Sequence, residues 1–168
     1  LWMFLGIDIV FTLGFGLCVP YWVTYAKEGV GLSSAQWGLV VSTITVVNLV
    51  LRLIFAPISD KQGRTRFIFV CFLGWPITFF LYSLTGNFLQ VIMVRVAIDV
   101  VSGIGASAWE ALFFDYSPKE HRGRFNAIAS TAWSLVWGFG NMIGGILYQY
   151  LNIRSPFYVA SIVMAVAG

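Results

Sequence analysis

Five ionisable side chains, Asp8, Arg52, Arg95, Asp99 and Glu110, lie inside long apolar runs. In hydrocarbon each costs roughly 2.5–3.5 kcal/mol at the centre unless it is paired or wet. Such positions are therefore held for a use. Arg95, Asp99 and Glu110 follow one another at helical spacings that bring them to one face, together with Ala106. That face reads either as the wall of an aqueous cavity or as an i, i+4 pair that neutralises itself. Asp8 and Arg52 read either as a structural ion pair or as a pair coupling proton or substrate movement. The chemistry on offer is the handling of charge, not the making of bonds. His121 is the single histidine, Cys18 and Cys71 sit apart in apolar runs, and neither an HExxH nor a G-x-x-x-x-G-K-[ST] pattern occurs. No catalytic residue, metal or cofactor is expected, and the cysteines read as packing residues.

The elements that must position these groups are membrane helices. Of the 168 residues, 59% are hydrophobic and 10% charged, with a mean hydropathy of +0.85. A soluble domain carries about 25% charged residues, so the lipid bilayer is the expected partner of this surface. The net charge of +3 is small and clustered, which argues against nucleic acid. Six apolar segments run over about 1–25, 34–59, 67–84, 88–114, 125–151 and 155–168. The last is too short to span and reads as cut, so the chain is expected to be one single 1–168 unit from a longer protein. The segments lack strand-like alternation, which excludes a β-barrel.

The connections alternate in charge. Residues 60–66 hold Lys61, Arg64 and Arg66, and residues 115–124 hold Lys119, Arg122 and Arg124. The opposite connections offer only Lys27, offset by Glu28, and Arg154. The positive-inside rule places 60–66 and 115–124 in the cytoplasm. Trp22, Tyr25, Trp37, Tyr82 and Tyr148 then fall near the outer interface, as an aromatic belt would.

Four stretches carry a resemblance. A-P-I-S-D-K-Q-G-R-T-R, ending at Arg66, is similar to the loop between the second and third helices of the major facilitator superfamily. Asp60, Lys61, Gly63, Arg64 and Arg66 match its G-x-x-x-D-[RK]-x-G-[RK]-x-[RK] pattern, with Ala56 in place of glycine. The run from Phe113 to Arg124 looks like the family's loop between helices four and five, with Asp115, Arg122, Gly123 and Arg124 at its spacing. Gly140, Asn141, Gly144 and Gly145 resemble the fifth-helix antiporter pattern, Asn141 standing for proline. The fourth-helix motif is degraded: Ser102, Gly103, Gly105 and Ala106 match its small end, but Asp99 takes the usual place of arginine, and Arg95 lies a turn earlier.

The resemblance implies an all-α membrane protein, a six-helix half of a twelve-helix transporter. It implies carriage of a small molecule, possibly proton-coupled, between two halves that alternate access. The plasma membrane is the expected site and the missing half the expected partner. The eroded motifs and the absent start methionine point to the C-terminal half; the N-terminal half is the alternative. The Asp60 loop, with Asp115 and Arg122, reads as a cytoplasmic gate, and Glu110 is expected to join it. Gly63 is expected to take a backbone angle closed to other residues. Gly140, Gly144 and Gly145 serve close helix packing. Trp133 and Trp137, one turn apart, read either as lining a cavity for aromatic or lipophilic compounds or as facing lipid. A membrane-embedded enzyme lacks its residues here. A channel is the rival reading of function.

Overall fold

The computed structural model describes residues 2–62, 64–116 and 122–168, without the side chains of 2–4, 52, 56–57, 59–62, 64, 106–107, 110–111, 114, 116 and 122. Among these residues the chain forms helices and short connections, with no strand. The first span is α1 (Trp2–Cys18), prolonged by a 3-10 turn (Val19–Tyr21), a short α turn (Trp22–Thr24) and a π turn (Tyr25–Gly29). There follow α2 (Ser34–Gln62), α3 (Arg64–Ser83), α4 (Phe88–Tyr116), α5 (Arg122–Tyr150) and α6 (Ser155–Ala167). The six apolar segments are thus six helical spans. A 29-residue helix such as α2 is about 43 Å long, more than the ~30 Å hydrocarbon thickness.

Local chemistry explains the boundaries. Pro20 sits in the 3-10 turn, where α1 loses its regular pitch. Gly31, with φ 81°, turns the chain into α2, an angle only glycine adopts cheaply. Ser33 and Gln36 then form a reciprocal cap, Gln36 N–H donating to Ser33 Oγ (3.2 Å) and Ser33 N–H to Gln36 Oε1 (2.9 Å). Asn87 caps α4 by accepting from Gln90 N–H at 2.9 Å. Helix α3 runs through Pro76 to Ser83.

Four spans among the described residues are long and apolar enough to cross a membrane: Leu5–Gly29, Ser34–Phe55, Thr65–Ser83 and Phe88–Gly105. Helix α5 is long but carries Asn126, Ser130, Thr131, Ser134 and Asn141, residues that suit a wet or packed face more than lipid. Leu53, Leu49 and Leu39 on α2, Ile77 on α3 and Ile128, Leu135 and Phe139 on α5 stand exposed. A water-soluble bundle would not leave so broad an apolar surface bare. The chain is an integral membrane protein.

The packing has an internal symmetry that the sequence does not display. Helix α1 packs on α5 and α6, and α4 packs on α2 and α3, while α3 packs on α6. Advancing every helix by three positions reproduces this pattern. Successive spans run in opposite directions, so the two three-helix units are inverted copies, an arrangement found in transporter halves.

The tightest approach joins α1 to α5. A Cβ on Gly140 would stand 2.9 Å from the Leu13 carbonyl oxygen, and one on Gly144 would collide with that of Leu17. With its amide nitrogen toward the carbonyls, Asn141 donates to Gly16 O (2.9 Å) and Trp137 O (3.2 Å). The Tyr21 hydroxyl donates to the Asn141 backbone carbonyl at 2.7 Å. Asn141 thus ties two membrane helices together by side chain and backbone alike.

Candidate substrate cavity

The two ends of the bundle differ. The short-loop end, at residues 30–33, 84–87 and 151–154, is packed. Tyr25, Phe79, Tyr82 and Phe157 are fully buried there. The Tyr25 hydroxyl lies 2.9 Å from the carbonyl oxygens of both Ser83 and Thr85, and the Tyr82 hydroxyl donates to Trp22 O at 2.9 Å. Tyr25 and Tyr82 therefore do not join an aromatic belt. Burial is tolerable because each phenol finds a backbone acceptor at a helix end or break. Trp37 is half-buried, and Tyr148 lies nearer the surface, stacked on Tyr21 and donating to Glu28 Oε2 at 3.1 Å. Lys27 donates to Ser34 Oγ rather than pairing with Glu28.

The basic end holds a cavity of about 790 Å³ between α1, α4 and α5. Asp8 and Thr12 enter it from α1, Trp109 and Phe113 from α4, and Asn126, Trp133, Ser134 and Trp137 from α5. All but Trp137, just past the middle of α5, lie in the half of their span toward the basic end. Asp8 is 8% exposed and shares the cavity wall with the Trp133 indole. Phe113 packs against Trp133 with ring centroids 5.1 Å apart. A carboxylate set among indole faces has the chemistry to receive a cationic or proton-bearing group.

Arg95 and Asp99 are not on this cavity. They form the i, i+4 ion pair at 3.4 Å, and Arg95 is 4% exposed. The Arg95 guanidinium carbon stands 3.6 Å from the centre of the Trp22 ring. Asp99 Oδ1 accepts from Asn48 Nδ2 at 3.2 Å, and Asp99 borders a shallower groove of about 340 Å³ with α2. The single stripe expected along α4 therefore divides: a helix face fixes direction, whereas the neighbour met there changes along its length. Arg95 meets the end of α1, and Asp99 meets α2. The two charges neutralise each other, and Trp22 covers the cation.

Among the remaining expected site residues, Arg66, Asp115, Gly123 and Arg124 are exposed at the basic end. Asp60, Lys61, Gly63, Arg64 and Arg122, with Arg52, Glu110 and His121, lie outside the described residues or have side chains outside them. The proposed Asp8–Arg52 pair and the gate contacts fall in that group. Cys18 and Cys71 are free and buried. Gly145 lies against the Tyr21 hydroxyl.

Trp109, Phe113, Thr12 and Asn126 were not singled out by sequence. A signal was present: Thr12 lies four residues from Asp8, and Asn126, Ser130, Ser134 and Trp137 share one face of α5 at helical spacing. Trp109 lies off the charged stripe, and nothing in the sequence marks it.

Comparison with known proteins agrees with this architecture. The model of the Major Facilitator Superfamily matches residues 4–168. An uncharacterized MFS-type transporter of Methanocaldococcus jannaschii, MJ1560, is 25% identical over 146 residues, covering 87% of this chain and 38% of the relative. The quinolone resistance protein NorA of Staphylococcus aureus is 25% identical over 162 residues, covering 94% of this chain and 40% of the relative. The chain thus spans about two-fifths of the length of the curated relatives it matches. With a family match over nearly all its residues, on helices paired as two inverted triplets around a cavity, this chain belongs to the major facilitator superfamily of membrane transporters.

Proposed function

We propose that the complete protein is a secondary active transporter that carries a lipophilic aromatic small molecule by alternating access. The carrying observation is the 790 Å³ cavity at the basic end, with Asp8 buried among Trp109, Trp133 and Trp137. Its size suits a drug-sized ligand, and its few polar groups among aromatic walls are what such sites use. The relative whose name records quinolone resistance supports the same class of cargo. On this reading a second six-helix bundle supplies the opposite wall, and the membrane is the plasma membrane. The basic loops face the cytoplasm, as positive-inside charge favours. The packed short-loop end closes the outer side while the cavity is open inward.

The Asp60 loop, with Arg64, Arg66, Asp115, Arg122, Gly123 and Arg124, then acts as the inner gate. It would close when the two bundles rock over the cavity. Exposed ion pairs contribute only about 0–1 kcal/mol each, so the gate acts as a weak bias between two states, not as a lock. Asp8 is the residue we place at the coupling of proton or cargo charge.

The test is counterflow of a fluorescent quinolone into proteoliposomes holding the complete protein. Carrier-type counterflow that saturates and is abolished by Trp133→Ala supports the reading. Ohmic ion current without counterflow would replace it with a channel.

A further inference from the structure

Beside the main cavity lies a second one of about 220 Å³, between α1, α3 and α4. Asp8, Thr12 and Trp109 line both. Its remaining walls are four aromatic rings, Phe11, Phe15, Phe72 and Trp75. The rings brace one another: Phe11 stacks on Phe72 at 4.4 Å, and Phe15 meets Trp75 edge-on at 5.0 Å. Trp75 spends its indole N–H on Ser102 Oγ at 2.9 Å, on the side of α4. It therefore presents only ring surface to the space. Phe72 lies against Trp109, with ring centroids 5.6 Å apart. Trp109 thus stands where the two spaces meet.

Three facts decide what such a side pocket takes. Its polar groups stand at one mouth, and everything beyond them is aromatic. An apolar cavity of about 150 Å³ already admits benzene, so 220 Å³ has room for one phenyl-sized ring and little more. The group at the junction is a carboxylate, and among the described residues no basic side chain lines either space. A carboxylate edged by indole faces favours an organic cation over a neutral or anionic partner.

We propose that this side pocket is a specificity subsite: it receives a single ring attached through one carbon to a cationic nitrogen held at Asp8, while the rest of the molecule fills the larger cavity. The inference rests on the transport reading only in taking the larger cavity as the cargo site. Cargo is selected on two features at once, a positive centre and a compact ring one methylene away. A bulky or rigid group at that position does not fit, and a cation bearing only methyl groups leaves the pocket unfilled.

The test compares two cations that differ by this ring alone, benzyldodecyldimethylammonium and dodecyltrimethylammonium. Each is measured below its micelle concentration against the complete protein in lipid nanodiscs by equilibrium dialysis. The benzyl compound is expected to bind about tenfold more tightly, the gain of burying one ring. Phe72→Trp, which narrows the pocket, should bring that ratio to near one. Phe72→Ala, which widens it, should shift the preference to the naphthylmethyl analogue. Asp8→Asn should weaken both cations about tenfold while keeping the ratio between them. An unchanged ratio in both Phe72 variants overturns the subsite, and equal binding of an uncharged analogue overturns the cation requirement. Transport of both cations without any ring preference would sink the subsite and leave the carrier intact. A Phe72-dependent ring preference without translocation would do the reverse.

Discussion

The two ends of this bundle are built from the same residue types and put them to opposite use. At the short-loop end Trp22, Tyr25, Phe79, Tyr82 and Phe157 are pressed together, with each tyrosine hydroxyl spent on a backbone carbonyl. At the basic end Trp109, Trp133 and Trp137 surround open space, with a carboxylate set among them. The charged groups follow the same division. Arg95 is buried against Trp22 and paired with Asp99, whereas Asp8 stands on a cavity wall. The inverted symmetry sharpens the contrast, since Asp8 on α1 near Trp109 of α4 is mirrored by Arg95 on α4 near Trp22 of α1. One corner is filled and the other is left hollow. Aromatic content therefore does not mark a binding site in this fold; the difference lies in whether the rings meet one another or face a void.

The comparison can be broken with one substitution made at both ends. Gly144→Ala places a methyl group against the Leu17 carbonyl of α1, and neither backbone can retreat from the other. It should destabilise the bundle by about 2–3 kcal/mol, the upper range for overpacking, seen as a lowered midpoint in detergent unfolding. Losing Tyr25→Phe should come next. It leaves the carbonyls of Ser83 and Thr85 without their buried donor, a cost of about 1–3 kcal/mol, with cargo affinity unchanged. Asp8→Asn should do the opposite. It should move the unfolding midpoint little, because asparagine matches aspartate in size and stays polar at the cavity wall, yet depress transport about tenfold or more if the carboxylate holds cargo charge. Gly6→Ala is the smallest effect. Nothing lies within 4 Å of the added methyl group, so helix propensity alone should stabilise by about 0.5–1 kcal/mol.

Much of this was legible in the sequence, for reasons that can be named. Apolar run length placed all six helices, because hydrocarbon thickness sets a length that no soluble helix must obey. Gly140, Gly144 and Asn141 announced a close contact, since small residues at that spacing let backbones approach. Trp133 and Trp137, one turn apart, suited a cavity and lipid equally, and only packing puts both on the cavity wall. The misreadings share one cause. Periodicity gives the direction in which a side chain leaves its helix but not the partner it meets. Tyr25 and Tyr82 looked like interfacial anchors because a phenol satisfies both settings; only the carbonyls of Ser83, Thr85 and Trp22 show that they are interior. Arg95, Asp99 and Glu110 looked like one wall because they share a face. The i, i+4 reading holds for Arg95 and Asp99, and the pairing of α4 with α1 at one end and α2 farther along, which keeps both off the main cavity, arises from tertiary packing alone. The side pocket of Phe72 and Trp75 was likewise invisible, being shared by three helices far apart in sequence.

The central claim is that the cavity at Asp8 is aqueous and opens toward the basic loops while the short-loop end is sealed. Ser134 lines that cavity, and the native Cys18 and Cys71 are buried, so their background is low. The direct measurement is labelling of Ser134→Cys by a membrane-impermeant maleimide, in sealed vesicles of known orientation and without cargo. Fast modification from the side of residues 60–66, with little from the side of residues 84–87, is the expected result. Modification at equal rates from both sides, or from the short-loop side alone, would contradict the account.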